Sequence, residues 1–194
     1  MIHAGDTLYN PATGERMTFI ETSADTGGEY VKIELVAEPG GAVAAAHIHP
    51  EQEERFEVLK GVMGLKVDGE TVEARPGTVL VVEAGLSHKW WNAGDGELVF
   101  RCTVRPAGKF ESLIETMFTL AAEGKTNRKG MPNPLRLAVI AQHHFDHVVL
   151  PFVPVWMQKA GLAMGAPIGR MLGYAATFDG RERSAAYVPA PAAS

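Results

Sequence analysis

Three histidines and one glutamate stand at short, fixed spacings between Gly41 and Asn92, and these spacings constrain the fold of this segment more than any other feature. Successive side chains of a β-strand point to opposite faces, so His47 and His49 share one face of an extended segment. Pro50 follows them and ends the strand, because proline cannot donate a hydrogen bond to the ladder. The sequence therefore predicts two imidazoles on one face of a short strand.

A carboxylate follows on the next predicted strand. There Glu54 has the same parity as Phe56 and Val58, whose apolar side chains we expect to face the core. Glu53 has the opposite parity, so we expect it to face solvent. Parity thus selects Glu54 over Glu53 as the inward carboxylate.

The third histidine opens a further strand. The run Thr78–Val82 predicts a buried strand, a turn follows at Gly85, and His88 then begins a strand whose inner face also carries Trp90 and Asn92. Burying imidazoles and a carboxylate is costly unless another group pairs them. A divalent transition metal pairs them directly, since neutral imidazole nitrogens and carboxylate oxygens are among its ordinary ligands.

The two segments resemble the two motifs of the cupin superfamily. The first motif, G-x5-H-x-H-x4-E-x6-G, is met at every fixed position from Gly41 to Gly61. The second, G-x5-P-x-G-x2-H-x3-N, is met from Gly77 to Asn92 except that Glu83 stands at the proline position. That departure concerns the turn and leaves the histidine in place. The resemblance covers roughly residues 1–105.

The resemblance implies a mainly β fold, a cupin-type antiparallel β-barrel (double-stranded jelly roll) over residues 1–108. The helical spacing of the later residues predicts an α-helical extension over residues 109–194. It also implies one divalent transition metal ion (Fe, Mn, Ni or Zn) and a pocket for a small molecule. The implied metal ligands are His47, His49, Glu54 and His88, with Glu54 also predicted to act as a catalytic base. The implied pocket residues are Phe56, Trp90 and Asn92.

Several activities are compatible with such a centre. It would favour a small chelating anion such as an enolate, a catecholate or a carboxylate. With iron it could support oxidation by dioxygen, and with zinc or manganese it could support isomerisation or hydrolysis. The aromatic residues near the site favour a dioxygenase-like oxidoreductase acting on an enolic or aromatic molecule. A non-catalytic ligand-binding or sensing protein and a metal-dependent isomerase are the alternatives, because a fold does not choose among functions.

The rest of the barrel is predicted from alternating runs separated by turn residues. The dipeptide Asp68-Gly69 predicts a tight hairpin. The predicted strands besides those above are Arg16–Thr22, Tyr30–Ala37, Val62–Val67, Thr71–Ala74 and Glu97–Val104.

Helical spacing begins after Pro106. A stripe from Phe110 to Ala121 predicts one helix, which could cover the chain's own barrel or a second chain. Asn133-Pro134 predicts the start of a second helix that runs to about Val149. Beyond Val155 we predict two shorter helices, because Pro167 interrupts the pattern. The tail, Asp179–Ser194, is predicted to be poorly ordered.

Two features of this extension suggest further roles. His143, His144 and His147 include an i, i+4 pair that could bind metal, although such a pair without a third ligand is usually surface. Glycines recur every fourth residue and permit close helix packing, from which we predict a homodimer. These glycines are Gly161, Gly165, Gly169 and Gly173. Charged residues interrupt the apolar run, which argues against a membrane span.

Composition narrows the partners and the compartment. The net charge of -5 and the absence of a basic run argue against nucleic acid as a partner. A single cysteine, Cys102, excludes an internal disulfide. The first residues do not resemble a signal peptide, so we expect the protein to be cytoplasmic.

Overall fold

The computed structural model describes residues 2–178 and 185–188 of the chain. In this part, ten strands come first, three helices follow, and a short strand returns near the end. The strands are β1 (Thr7–Asn10), β2 (Glu15–Glu21), β3 (Val31–Ala37), β4 (His47–Ile48), β5 (Glu53–Lys60), β6 (Met63–Val67), β7 (Glu70–Ala74), β8 (Val79–Val82), β9 (Ser87–Asn92), β10 (Leu98–Arg105) and β11 (Tyr187–Val188). The helices are α1 (Phe110–Ala122), α2 (Pro134–His143) and α3 (Val155–Met171).

The strands form two antiparallel sheets. The larger sheet has the order β11-β1-β2-β3-β10-β5-β8, and the smaller has the order β4-β9-β6-β7. Strands distant in the chain become neighbours, so that β10 lies between β3 and β5 while β4 pairs with β9. This arrangement confirms the predicted class, a mainly β jelly roll followed by C-terminal helices.

The core follows from the period-two pattern of the strands. On β3, the side chains of Val31, Ile33 and Leu35 are buried, and those between them are only half-buried. The strand β2 does the same with Met17 and Phe19. Because one face of each strand is apolar, the two sheets bury these faces together and fix the register of every inward side chain.

Two turns depend on residues that tolerate positive φ. Asp68 and Gly69 join β6 to β7 with φ angles of 44° and 94°, as the predicted tight hairpin requires. Gly61, the last residue of the first motif, has a φ of 80°. A Cβ at Gly61 would lie 2.5 Å from the carbonyl oxygen of Glu97. Only glycine therefore fits at the end of β5.

The prediction that Thr78–Val82 is buried was wrong. The strand β8 lies at the edge of the larger sheet, and Val79 and Val81 are 42% and 51% exposed. Only its other face, which carries Leu80 and Val82, packs against the core. The continuous apolar run of β8 therefore belongs to an edge strand. Its outer face is exposed because no second layer covers it.

The first helix packs on the chain's own barrel. Phe110 and Phe118 are buried, and Ile114 packs against the same core cluster. Glu111 accepts hydrogen bonds from the backbone N–H and the hydroxyl of Ser23. The apolar stripe of α1 could have been covered by the chain's own barrel or by a second chain, and in this structure the chain's own barrel covers it.

The second helix begins as predicted and ends earlier. The side chain of Asn133 accepts a hydrogen bond from the backbone N–H of Arg136 at 3.0 Å, and α2 starts at Pro134. The helix stops at His143, six residues before the predicted end at Val149. The reason is that Val149 exchanges both backbone hydrogen bonds with Ile48, so this segment cannot continue a helix.

The third helix is one continuous element, so the predicted division at Pro167 was wrong. Its last turns are held against α2. A Cβ at Gly169 would lie 2.6 Å from the carbonyl oxygen of Leu135, and one at Gly165 would lie 3.2 Å from the Cβ of Ala138. Close packing of this kind holds α3 helical through the proline. These two glycines therefore serve a contact within the chain, and the homodimer stays a prediction.

The C-terminal segment returns to the barrel. Tyr187 and Val188 form β11 and pair with Leu8 and Thr7 of β1, and Ala186 is buried. This part of the tail is therefore ordered, contrary to the prediction, because it completes the edge of the larger sheet. The rest of the predicted tail lies outside the described residues. Within residues 2–178 and 185–188, no helix combines the length and the apolar character needed to cross a bilayer.

Candidate metal centre

The fold brings the four predicted ligands to one place inside the barrel. His47 on β4 lies directly opposite His88 on β9 in the antiparallel ladder, and His49 follows just beyond the end of β4. Glu54 approaches from β5 of the facing sheet. One ligand atom from each residue lies within 4.8 Å of the others, a grouping that could hold a metal ion.

The parity argument for the carboxylate is correct. On β5 the side chains alternate between exposed and buried, with Glu53 exposed and Glu54 6% exposed. The carboxylate oxygens of Glu54 lie 2.7 Å from Nε2 of His88 and 3.5 Å from Nε2 of His49. The carboxylate therefore lies between two imidazoles, and Glu53 takes no part.

Each imidazole is oriented by its other nitrogen. Nδ1 of His47 lies 3.0 Å from the carbonyl oxygen of Ala45, and Nδ1 of His88 lies 3.2 Å from that of Leu86. A carbonyl oxygen only accepts, so each Nδ1 must carry the proton and donate it. Nε2 is then left as the nitrogen directed at the centre, and its lone pair is free in the neutral ring.

The third imidazole is oriented by the C-terminal extension. Nδ1 of His49 donates to the backbone carbonyl oxygen of His147, 2.6 Å away, and the neighbouring Ile48 and Val149 form an antiparallel bridge. These contacts cross the predicted boundary at residue 108. No sequence pattern predicts these contacts, because they are made by backbone groups of the loop that follows α2, and backbone groups are the same for every residue type.

The fit to a metal ion can be judged from the contact between His88 and Glu54. Nε2 of His88 is fully buried and has no hydrogen-bond partner in the described residues, although the carboxylate oxygen is only 2.7 Å away. With Nδ1 donating to Leu86, a neutral His88 directs a lone pair at a negatively charged oxygen. Two such atoms repel each other unless a cation or a proton lies between them. The donor set thus fits a divalent cation.

Burial and charge act in opposite directions on the pKa values of these groups. Burial and the two neighbouring imidazoles lower the pKa of His47 to about 4. Burial also acts to lower the pKa of His49, but the adjacent Glu54 outweighs it and raises that pKa above its ordinary value. Burial acts to raise the pKa of Glu54, and the charge and hydrogen bond of His49 override it and hold that pKa well below its usual range. The carboxylate is therefore ionised near neutral pH.

The strand faces that carry Glu54 and His88 continue into the apolar core. Phe56 and Trp90, two of the predicted pocket residues, both contact the ring of Phe100, with centroid distances of 5.8 Å and 5.0 Å. The buried thiol of Cys102 lies 3.9 Å from Oε1 of Glu54, and burial raises its pKa well above the ordinary value. The thiol is therefore protonated at neutral pH, and the role of Phe56 and Trp90 as pocket residues stays a prediction.

Asn92, the third predicted pocket residue, forms hydrogen bonds with loop backbone groups. The side-chain amide of Asn92 donates to the carbonyl oxygens of Ala37, Glu38 and Gly96, and its oxygen accepts from the backbone N–H of Gly94. Asn92 therefore ties together the loops at one end of the barrel. Its role as a pocket residue stays a prediction.

The departure from the second motif leaves the site intact. Glu83 is exposed in the turn after β8, and Gly85 in that turn donates its backbone N–H to the carbonyl oxygen of His49 at 2.8 Å. The turn thus contacts the first motif without using a proline, and His88 keeps its place opposite His47.

The histidines of the extension do not form a second cluster of this kind. His144 is buried and hydrogen-bonded on both ring nitrogens, to Ser112 and to the carbonyl oxygen of Ile140. Across the described ranges, the grouping on β4, β5 and β9 is the one set of three or more potential ligands that converges. His143, His144 and His147 lie outside it.

Comparison with known proteins gives a family and two named relatives. Residues 34–104 match the family described as "Cupin domain". Over 118 residues the chain is 29% identical to "Probable oxidoreductase virH" of Hypocrea virens, spanning 57% of this chain and 54% of that protein. Over 122 residues it is 25% identical to "Oxidoreductase iacF" of Pestalotiopsis fici, spanning 57% and 59%. The aligned region thus covers little more than half of either relative.

A crystal structure also resembles the barrel. It is described as a sugar phosphate isomerase from a cupin superfamily, from Silicibacter pomeroyi, and it aligns with a TM-score of 0.44 and 24% identity over 50% of this chain and 62% of that one. The matched family segment contains both motifs and all four converging side chains. Residues 34–104 therefore form a cupin domain.

Proposed function

We propose that His47, His49, Glu54 and His88 bind one divalent transition metal ion, and that this centre acts on a small molecule. One observation carries the proposal. A buried imidazole nitrogen without a hydrogen-bond partner lies 2.7 Å from an ionised carboxylate, in a cluster of four potential ligands. A cation between these atoms removes the repulsion and uses all four side chains.

The charge of the site indicates the class of ligand. Three neutral imidazoles and one carboxylate leave a net charge of about +1 on a divalent ion. Such a centre favours an anionic oxygen donor, for example an enolate or a catecholate. Phe56 and Trp90 are buried in the apolar core, and as pocket residues they would suit the carbon skeleton of an aromatic or enolic molecule better than a sugar.

We infer that the chemistry is an oxidation of the dioxygenase type. A bound redox metal such as iron would supply an electron-transfer centre for the reaction of the anion with dioxygen. The names of the two curated relatives, both oxidoreductases, support this class. As pocket residues, Phe56 and Trp90 would exclude water from the reacting molecule.

The low pKa of Glu54 bears on its predicted second role. A carboxylate whose pKa is held well below the usual range is a poor proton acceptor near neutral pH. The contact of Glu54 with His49 therefore favours its role as a ligand over its role as a general base, which stays a prediction.

The first prediction concerns the two adjacent glutamates. Glu54→Ala should weaken metal binding at least about 100-fold, because it removes an inward ligand, whereas Glu53→Ala should change it less than about threefold. Competition with a chelating dye gives both affinities. Circular dichroism confirms that each variant is folded. Equal losses in the two variants would show that the ligand assignment is wrong.

The second prediction concerns protons. Glu54 raises the pKa of His49 above its ordinary value of 6.5 in the metal-free protein, so part of this imidazole is protonated near neutral pH. Metal binding needs the neutral ring and should therefore release a proton. We expect the released fraction to rise, and the affinity to fall, as the pH is lowered through the raised pKa. Calorimetry in buffers of different ionisation enthalpy measures the release. Binding without any proton release between pH 6 and 7 would contradict this account.

The third prediction separates an enzyme from a binding protein. Iron(II)-loaded protein should consume dioxygen in the presence of catechols, flavonols or β-diketones. Mass spectrometry should find both atoms of the consumed dioxygen in the product. Zinc-loaded protein is the matched control and should bind the same compounds without consuming dioxygen. Binding of these compounds to the iron form without oxygen uptake would instead identify a non-catalytic ligand-binding protein.

A further inference from the structure

A cleft beside the smaller sheet carries an excess of positive charge. It has a volume of about 500 Å³ and lies where the turn between β1 and β2, the loop between β3 and β4 and the loop between α1 and α2 meet the strand β9. The charged side chains that line it are those of Glu38, Lys89, Arg128 and Lys129. Three cations and one carboxylate leave two positive charges in excess, although the net charge of the chain is -5.

The three cations of the cleft have no ion-pair partner in the described part of the chain. The lysine and arginine side chains that do form ion pairs there are others: Lys60, Arg101, Arg105 and Lys125. Lys89 is half-buried, so water and salt screen its charge less than that of an exposed lysine. Like charges around one cleft repel each other over about 8 Å at physiological ionic strength. An anion bound among them would offset this repulsion.

The cleft is separate from the candidate metal centre. Lys89 follows His88 on β9 and therefore faces the opposite side of the strand. None of the four proposed metal ligands lines the cleft. The cleft thus lies on the outer side of a strand whose inner side carries a proposed ligand. A molecule bound there would not contact the metal ion.

We propose that this cleft binds a small aliphatic molecule that carries a phosphate group. A phosphate monoester has a charge of about −1.5 to −2 at pH 7, which matches the excess charge of the lining. Phosphate is also an ordinary partner of these side chains, because a guanidinium donates two parallel hydrogen bonds to it and a lysine adds a point charge. The cleft therefore complements a phosphate group in both charge and donors.

The size and the lining of the cleft define the rest of the ligand. Small-molecule sites have volumes of about 300–1,000 Å³, so this cleft has room for an organic group beyond the phosphate. Its uncharged lining residues are of the types Gly, Ala, Pro, Thr and Val, and no described aromatic side chain lines it. Nothing in the lining can stack on a nucleobase or another flat ring. An aliphatic phosphate ester therefore fits better than a nucleotide.

The test measures the binding of glycerol 3-phosphate to the full chain by calorimetry. We expect a dissociation constant below about 1 mM, which should rise at least about tenfold in Arg128→Ala and in Lys129→Ala. Lys125→Ala is the matched control, because Lys125 belongs to the same loop, pairs with Glu123 and does not line the cleft. All three substituted side chains are exposed, so packing is unaffected. The control should change the affinity less than about twofold.

A second measurement locates the bound molecule, because phosphate can also bind to a metal ion. In an NMR titration of zinc-loaded protein labelled with ¹⁵N, glycerol 3-phosphate should shift the backbone amide signals of Gly14, Gly40 and Lys129, which line the cleft. The affinity should be the same after the metal is removed with a chelator. Shifts centred instead on His49 and Glu54, with binding lost on metal removal, would assign the phosphate to the metal centre and overturn the proposal.

Three further results would contradict the proposal. The first is no binding of glycerol 3-phosphate at concentrations up to about 10 mM. The second is an equal affinity in Arg128→Ala and Lys125→Ala, since the cleft would then contribute nothing to recognition. The third is tighter binding of succinate or of adenosine monophosphate than of glycerol 3-phosphate, which would assign the cleft to a dicarboxylate or a nucleotide.

Discussion

The contact between Nε2 of His88 and the carboxylate of Glu54 is the constraint on which the account of this protein depends. The two atoms are 2.7 Å apart in the barrel interior, and the nitrogen has no hydrogen-bond partner among the described residues. Such a contact is stable only with a positive charge between or on these groups. The two facing sheets hold it in place, because His88 lies on β9 of one sheet and Glu54 on β5 of the other. The strand register therefore determines the chemistry of the site.

The sequence predicted the parts of the molecule that follow from side-chain alternation. The period of two assigned Glu54 to the inner face of its strand and Glu53 to the outer face, and it directed His47 toward the interior. The reason is that the apolar neighbours of a residue on a half-buried strand determine which face is inward. The same reasoning failed for Val79 and Val81, since alternation says nothing about whether a second layer covers a strand. A separate prediction, that proline breaks the last helix at Pro167, was also wrong, because packing against α2 keeps the helix intact.

The relation between the barrel and the helical extension was not visible in the sequence. The backbone of His147 orients His49, and Val149 bridges to Ile48 on the strand that carries the site. Backbone groups carry no residue signature, so only the three-dimensional structure shows them. The extension thus orients one of the four side chains that we propose to bind a metal ion.

The metal content of the protein, purified without a histidine tag, tests the central claim most directly. Elemental analysis by mass spectrometry, followed by titration of chelator-treated protein with divalent metals, gives the occupancy and the capacity of the site. We expect about one equivalent per chain, in the purified protein or after titration. Less than about a tenth of an equivalent at purification, with no uptake on titration, would contradict it. The contact between His88 and Glu54 would then be a buried ion pair stabilised by a proton.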